Sequence, residues 1–163
     1  MLKTFNTGDI AVYPAHGVGV IENVEKKNIL GKEQSFLIMR IFDNDMTIMV
    51  PTENIGKVGI RELINKDQIT QVFDILREKS PQLDGKTWNK RFREYSEKIK
   101  VGQPNDIAEV MRDLMNLKNE KGLSFGERKM LDNVKHLLSQ EIALATNDQV
   151  DTVLNNITKV FDN

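Results

Sequence analysis

The chain has 163 residues, a formal net charge of −1 at pH 7 and a hydrophobic content of 39%, which allows one or two small domains with modest cores. It contains no cysteine, so a disulfide framework, a thiolate metal site and a cysteine nucleophile are excluded. The N-terminal residues MLKTFNTGD contain no apolar signal region, and no stretch is apolar enough to span a bilayer. We therefore expect a cytoplasmic protein.

The first 62 residues show the two-residue alternation of β-strands, interrupted by glycines and turn residues. Four strands are predicted, at residues 10–13, 17–24, 35–42 and 46–51. Turns are expected before the first strand, at residues 28–32 and at residues 43–45. Such short, closely spaced strands favour a small antiparallel barrel or a strongly bent sheet, which we assign to a first domain, residues 1–62.

After residue 62 the apolar period changes to about 3.6 residues, which is typical of amphipathic helices. About five helices are predicted. Their N-terminal signals are Asn65 or Asp67, Asp84, the break at residues 102–106, Ser124 with Glu127 at capping-box spacing, and residues 146–148. The chain is thus predicted to be a two-domain α+β protein, with an all-α bundle and an acidic C-terminal tail in residues 63–163.

Trp88 is the only tryptophan, and residues 86–100 around it carry a local charge of +4. Trp88, Phe92, Tyr95 and Ile99 share one stripe of the predicted helix, which favours a core position for the ring. Lys90, Arg91 and Arg93 lie mostly off that stripe and are expected to face water or a partner. A flat apolar ring among cations also suits a surface that follows phosphates while touching bases.

Residues with catalytic or metal-binding potential are few. His16 and His136 are the only histidines, and we expect the first to stabilise a turn and the second to be solvated. The Gly17-Val18-Gly19 run leads into a strand, so it indicates tight backbone curvature and not a phosphate loop. We therefore predict no enzymatic activity, no cofactor and no metal.

The N-terminal run Gly8-Asp9, Val12-Tyr13-Pro14 and His16-Gly17 resembles the opening of the CarD/CdnL family of bacterial transcription factors. A similar module occurs in the transcription-repair coupling factor. The resemblance continues through residues 29–32, 46–51, 88–93, 108–114, 121–131 and 141–145. It covers almost the whole chain, and the helical part that contains Trp88 matches the stand-alone factors.

The resemblance implies a Tudor-like N-terminal barrel that binds the β subunit of RNA polymerase. It also implies a helical domain that contacts promoter DNA, without sequence preference, at the upstream edge of the transcription bubble. Trp88 matches the family's wedge residue, which stabilises the open complex. The matching basic positions are Lys90, Arg91, Arg93, Arg128 and Lys129. Through the polymerase, the protein would be associated with the nucleoid, and we expect it to be a monomer.

Lys27, Ile48, Met49 and Val50 match positions that contact polymerase in relatives. Some relatives carry arginine where this chain has Met49, and at least one of Ile48 and Val50 is expected in the barrel core. A second interpretation stays open, in which the chain is a polymerase- or protein-interaction module that does not bind DNA. Internal pairing of the cations around Trp88 with Glu94 and Glu97, together with a fully buried ring, would favour it.

Overall fold

The computed structural model describes residues 4–80 and 88–162. The contacts between residues divide the chain into two compact units, Met1–Leu63 and Ile64–Asn163. Each unit has its own hydrophobic core. The first contains the predicted strands and the second the predicted helices.

The first unit is a four-stranded antiparallel sheet in the order β1-β2-β3-β4. Its strands are β1 Ile10–Tyr13, β2 Gly17–Ile29, β3 Lys32–Ile41 and β4 Thr47–Pro51. A 3-10 turn, Thr52–Asn54, and a one-turn helix, α1 Ile55–Val58, follow β4. Within the described residues β1 and β4 are not paired with each other. The predicted small barrel or bent sheet is therefore confirmed in part, as four antiparallel strands that form an open half-barrel.

The hairpin of β2 and β3 is longer than the sequence predicted. Ile29 pairs with Lys32, which leaves only Leu30 and Gly31 in the turn. Both have positive φ angles, 52° and 83°, as a type I′ turn requires. This turn continues the twist of the flanking strands, so pairing extends five residues beyond the predicted end of β2.

Alternation along the strands separates two faces of the sheet. The core face carries Ile21, Leu37, Met39, Ile41 and Val50, all buried. Lys27, Phe36, Ile38 and Met49 follow the opposite alternation. Gly19 is required where β2 meets β3, because a Cβ atom there would collide with the carbonyl oxygen of Arg40.

The described part of the second unit contains five helices, where about five were predicted, and the one-turn α1 of the first unit was not predicted. The five helices are α2 Lys66–Arg77, α3 Trp88–Val101, α4 Pro104–Lys121, α5 Phe125–Thr146 and α6 Val150–Lys159. Capping boxes begin α2 at Asn65 and α5 at Ser124, which confirms both predicted signals. Asp84, the predicted cap of the Trp88 helix, lies outside the described residues.

The core of the second unit centres on α4 and α5, whose buried residues include Met111, Leu114 and Leu138. Val153 and Ile157 of α6 are also buried, so the acidic C-terminal segment contains a helix that is part of this core. At the start of the unit, the backbone N–H of Ile64 donates to the buried Glu141 carboxylate at 2.7 Å. None of the helices in the described ranges has the length and apolar character needed to cross a membrane.

Candidate nucleic-acid interface

Trp88 is the first residue of α3 and is partly buried. Its ring lies against the first turn of α5, where a Cβ atom on Gly126 would be 3.4 Å from Trp88 Cζ2. The ring of Phe92 meets it edge-on, with 5.3 Å between centroids and an interplanar angle of 64°. The indole is therefore supported by two helices, and Trp88 as a residue remains partly exposed.

Phe92 corrects the predicted core stripe. Tyr95 and Ile99 are buried as expected, but 47% of Phe92 is exposed. On α5, Phe125 immediately precedes Gly126, and 75% of it is exposed. The sequence did not single out Phe125 or Gly126, because neither belongs to the stripe that contains Trp88. Together with Trp88, the two phenylalanines give this end of the unit an accessible aromatic surface.

Arg91 was predicted to face water or a partner, but it is largely enclosed by the protein. Its side chain is only 16% exposed, and Arg91 Nη2 lies 3.7 Å from Oε2 of the buried Glu127. The Arg91 guanidinium carbon is 5.8 Å from the centroid of the Trp88 ring. The expectation failed because the partner carboxylate comes from α5, 36 residues further along the chain, where capping-box spacing had assigned Glu127 only a local role.

Tyr95 lies one turn beyond Arg91 and is buried. Its hydroxyl oxygen is enclosed and has no hydrogen-bond partner among the described residues. Burial raises the pKa of this hydroxyl well above its usual value, with a further increase from the Asp113 carboxylate and an opposing effect of Arg91. Tyr95 therefore remains neutral, and ionisable groups of α3, α4 and α5 influence one another around it.

The other predicted cations are on the surface. Lys90 and Arg93 of α3 and Arg128 and Lys129 of α5 are all exposed. Since Gly126 contacts Trp88, the first turns of α5 place Arg128 and Lys129 at the same end of the helical unit as the ring. Further along α3, Lys98 pairs with Glu109 at 2.6 Å. The surface near Trp88 thus combines accessible aromatic rings with four exposed cations.

The residues predicted to meet polymerase fall on different faces of the N-terminal sheet. Val50 is in the core and Ile48 packs against it, which confirms that at least one of them is a core residue. Met49 is 48% exposed, and Lys27 extends over the ring of Phe36 on the same face. Only Lys27 and Met49 can therefore present their side chains to a partner on that face, while Ile48 and Val50 can offer backbone atoms of β4.

His16 lies in the turn between β1 and β2, and His136 lies on α5. The His16 ring contacts Tyr13 edge-on at 5.1 Å, and its backbone N–H donates to the Tyr13 carbonyl at 3.0 Å. His136 is exposed. No group of three or more histidine, aspartate or glutamate residues in the described ranges could hold a metal ion.

Comparisons with known proteins identify relatives of both units. Residues 5–64 match the family model for the CarD-like/TRCF RID domain, and residues 71–158 match that for the CarD C-terminal domain. The chain is 37% identical over 139 residues to YdeB, a candidate transcription factor of Bacillus subtilis (strain 168). That match covers 85% of the chain and 90% of YdeB.

Two solved N-terminal domains from Myxococcus xanthus are also similar. CdnLNt is 45% identical, with a TM-score of 0.34, and the match covers 40% of this chain and 93% of that one. The 72-residue N-terminal domain of CarD is 29% identical, with a TM-score of 0.31, and the match covers 36% and 79% of the two chains.

Proposed function

Because the chain belongs to the CarD family, we propose that it is a transcription regulator that stabilises the promoter open complex. Its N-terminal unit binds the β subunit of RNA polymerase. Its helical unit contacts DNA at the upstream edge of the bubble with Trp88 and the surrounding cations. This role requires neither a catalytic residue nor a cofactor.

The partial exposure of Trp88, beside exposed cations at one end of the helical unit, is the observation that carries the proposal. An apolar ring placed at an unstacked base step favours the melted form of DNA over the closed duplex. Such contacts contribute about 1–3 kcal/mol, which corresponds to roughly tenfold to hundredfold in the opening equilibrium. A fully enclosed ring could not act in this way.

The exposed cations supply the remaining DNA contacts. Lys90, Arg93, Arg128 and Lys129 can neutralise phosphates, which orients the protein but carries no base information. We therefore expect weak DNA binding that is independent of sequence and falls steeply with salt concentration.

The N-terminal unit supports the polymerase contact through its edge strand. In the described sheet β4 pairs only with β3, so its other edge can accept a strand of the β subunit by β-augmentation. In that arrangement backbone groups of residues 47–51 supply hydrogen bonds, and the exposed Met49 supplies an apolar side-chain contact. Lys27, on the same face as Met49, supplies a charge.

One observation favours a second candidate function, a polymerase-binding module that does not contact DNA. Arg91 is paired internally with Glu127, so one of the predicted DNA contacts is engaged within the protein. Lys98 is paired with Glu109 as well. The partial exposure of Trp88 and the four exposed cations near it argue against this second function.

A promoter-melting assay with purified cognate polymerase distinguishes the two functions. A fluorescent base analogue in the bubble reports opening, and the lifetime is measured after addition of a competitor that traps free polymerase. We expect the protein to increase the melted fraction and the lifetime of the open complex. If the protein binds polymerase but changes neither quantity, the module without DNA contacts is correct.

A further inference from the structure

We propose that Arg91 is a positioning residue for Trp88, held by Glu127, and that it does not contact DNA phosphates. This inference rests on the proposed function, since it assigns a role to one residue of the same site. It also reverses the expectation from the family resemblance, which placed Arg91 among the DNA contacts.

The first support is the enclosure of the pair. The side chains of Arg91 and Glu127 are 16% and 10% exposed, and their charged atoms lie 3.7 Å apart. Nε of Arg91 and Oε2 of Glu127 are both enclosed. For Arg91 to reach a phosphate, it would have to leave a buried carboxylate without its counter-charge, which is strongly unfavourable.

The second support is the position of Glu127 within the first turn of α5. Oε1 of Glu127 accepts a hydrogen bond from the backbone N–H of Ser124 at 3.0 Å, and Ser124 Oγ accepts one from the N–H of Glu127 at 3.3 Å. These two capping bonds orient the carboxylate independently of Arg91. The Glu127 carboxylate is therefore held in place, and its second oxygen faces the guanidinium as an ion pair at 3.7 Å.

The third support is the contact between Arg91 and the ring itself. The guanidinium carbon lies 5.8 Å from the Trp88 ring centroid, within the range of a cation–π interaction. On the α5 side, Gly126 borders the same ring. Glu127 thus holds Arg91, and Arg91 together with Gly126 limits the positions that the indole can occupy. A wedge needs such support to meet a base step in one orientation.

The substitution Glu127→Gln distinguishes a phosphate contact by Arg91 from positioning of Trp88, because the two roles predict opposite effects on the complex with DNA. Glutamine also serves at the third position of a capping box, so the start of α5 is preserved while the negative charge facing Arg91 is removed. If Arg91 contacts phosphate, releasing it and raising the net charge of the site by one unit should strengthen DNA binding. If Arg91 positions Trp88, the same change should shorten the lifetime of the open complex.

The experiment compares Glu127→Gln, Arg91→Gln, their double variant and Arg93→Gln in the full-length protein. For each we measure the open-complex lifetime at several salt concentrations and the emission and acrylamide quenching of the protein without polymerase. Because Trp88 is the only tryptophan, its fluorescence reports directly on the environment of the ring. Thermal unfolding of each variant identifies those that are folded at the assay temperature.

For Glu127→Gln and Arg91→Gln we expect lifetimes shortened by about threefold to tenfold, as found for residues that act through a neighbouring contact. The dependence of the lifetime on salt concentration should not change, and acrylamide should quench Trp88 more strongly. The lifetime with the double variant should be no shorter than with either single variant. For the control, Arg93→Gln, the lifetime should depend less steeply on salt concentration, while the Trp88 fluorescence stays the same. If Arg91→Gln fails to fold, Glu127→Gln decides alone.

A longer open-complex lifetime with Glu127→Gln would contradict the positioning role of Arg91. So would an Arg91→Gln variant whose salt dependence becomes less steep, as expected for Arg93→Gln. Unchanged Trp88 emission and quenching in both variants would also contradict it. Failure of the proposed function has a different signature. In that case the unmodified protein itself does not extend the lifetime, and only the fluorescence results bear on the positioning of Trp88.

Discussion

The Cζ2 atom of Trp88 lies 3.4 Å from the position that a Cβ atom would take on Gly126. This distance is an ordinary van der Waals contact for one methyl group, but it leaves no room for a longer side chain. The identity of residue 126 therefore determines whether the ring can lie against α5.

We predict opposite outcomes for two substitutions of Gly126. Gly126→Ala should keep the open-complex lifetime and stabilise the protein by up to about 1 kcal/mol, because alanine loses less backbone entropy on folding. Gly126→Leu should displace the indole, shift its emission to longer wavelength and shorten the lifetime. Fluorescence and promoter lifetimes of the pair test this, and equal lifetimes would show that the contact with α5 is unimportant.

Trp88→Ala should shorten the open-complex lifetime by about tenfold to hundredfold, because an apolar contact with an unstacked base contributes about 1–3 kcal/mol. Binding to polymerase should persist, since the N-terminal unit does not contain Trp88. Pull-down with the β subunit and circular dichroism are the controls. An unfolded variant or an unchanged lifetime would contradict the wedge role.

Replacement of the exposed arginines should change the salt dependence of DNA binding. Arg93→Gln and Arg128→Gln should each make the negative slope of log K against log salt concentration less steep by about 1, as expected for the loss of one phosphate contact. Arg77→Gln is the matched control, because Arg77 lies on α2 beside Asp74 and Phe73. If all three variants had the same slope as the unmodified protein, the DNA-binding face would lie elsewhere.

Substitutions of two adjacent residues of β4 should have separate effects, one on stability and the other on binding to polymerase. Val50 is in the core, so Val50→Ala should lower the free energy of unfolding by about 2 kcal/mol through lost burial and a cavity. Met49→Glu should leave stability nearly unchanged and weaken binding to the polymerase β subunit. Chemical denaturation and binding titrations measure the two effects, and strong binding by Met49→Glu would remove Met49 from the proposed interface.

The pH dependence of stability should include a contribution from Tyr95. Burial raises the pKa of its hydroxyl in the folded protein above the value of about 10 found in unfolded chains. The folded state then binds this proton more tightly, so the contribution is complete below about pH 10 and is lost as the pH rises further. Between pH 9 and 11, the unfolding free energy should fall more for the unmodified protein than for Tyr95→Phe. Parallel decreases would contradict this assignment.

Local signals were sufficient for most of the secondary structure. The turn before β3 requires two consecutive residues with positive φ, and a capping box joins two residues that are three positions apart. Both features therefore depend on residues that are close in the sequence. For the same reason Ser124 was correctly identified as the start of α5, and Asn65 was one of the two predicted starts of α2. The extension of β2 to Ile29 was missed because it depends on pairing with β3.

By itself, the sequence determined the division into a β-rich and a helical unit, the start of α5 and the presence of one tryptophan among cations. It placed the start of the last helix at residues 146–148, whereas α5 continues to Thr146 and α6 begins at Val150. The tertiary structure decided which of those cations remain accessible, because burial depends on neighbours that are distant in the chain. Arg91 is enclosed by Glu127 of another helix, whereas Phe92, on the apolar stripe, is exposed. Periodicity describes one helix at a time, and only the packing of α3 against α5 shows which side chains surround Trp88.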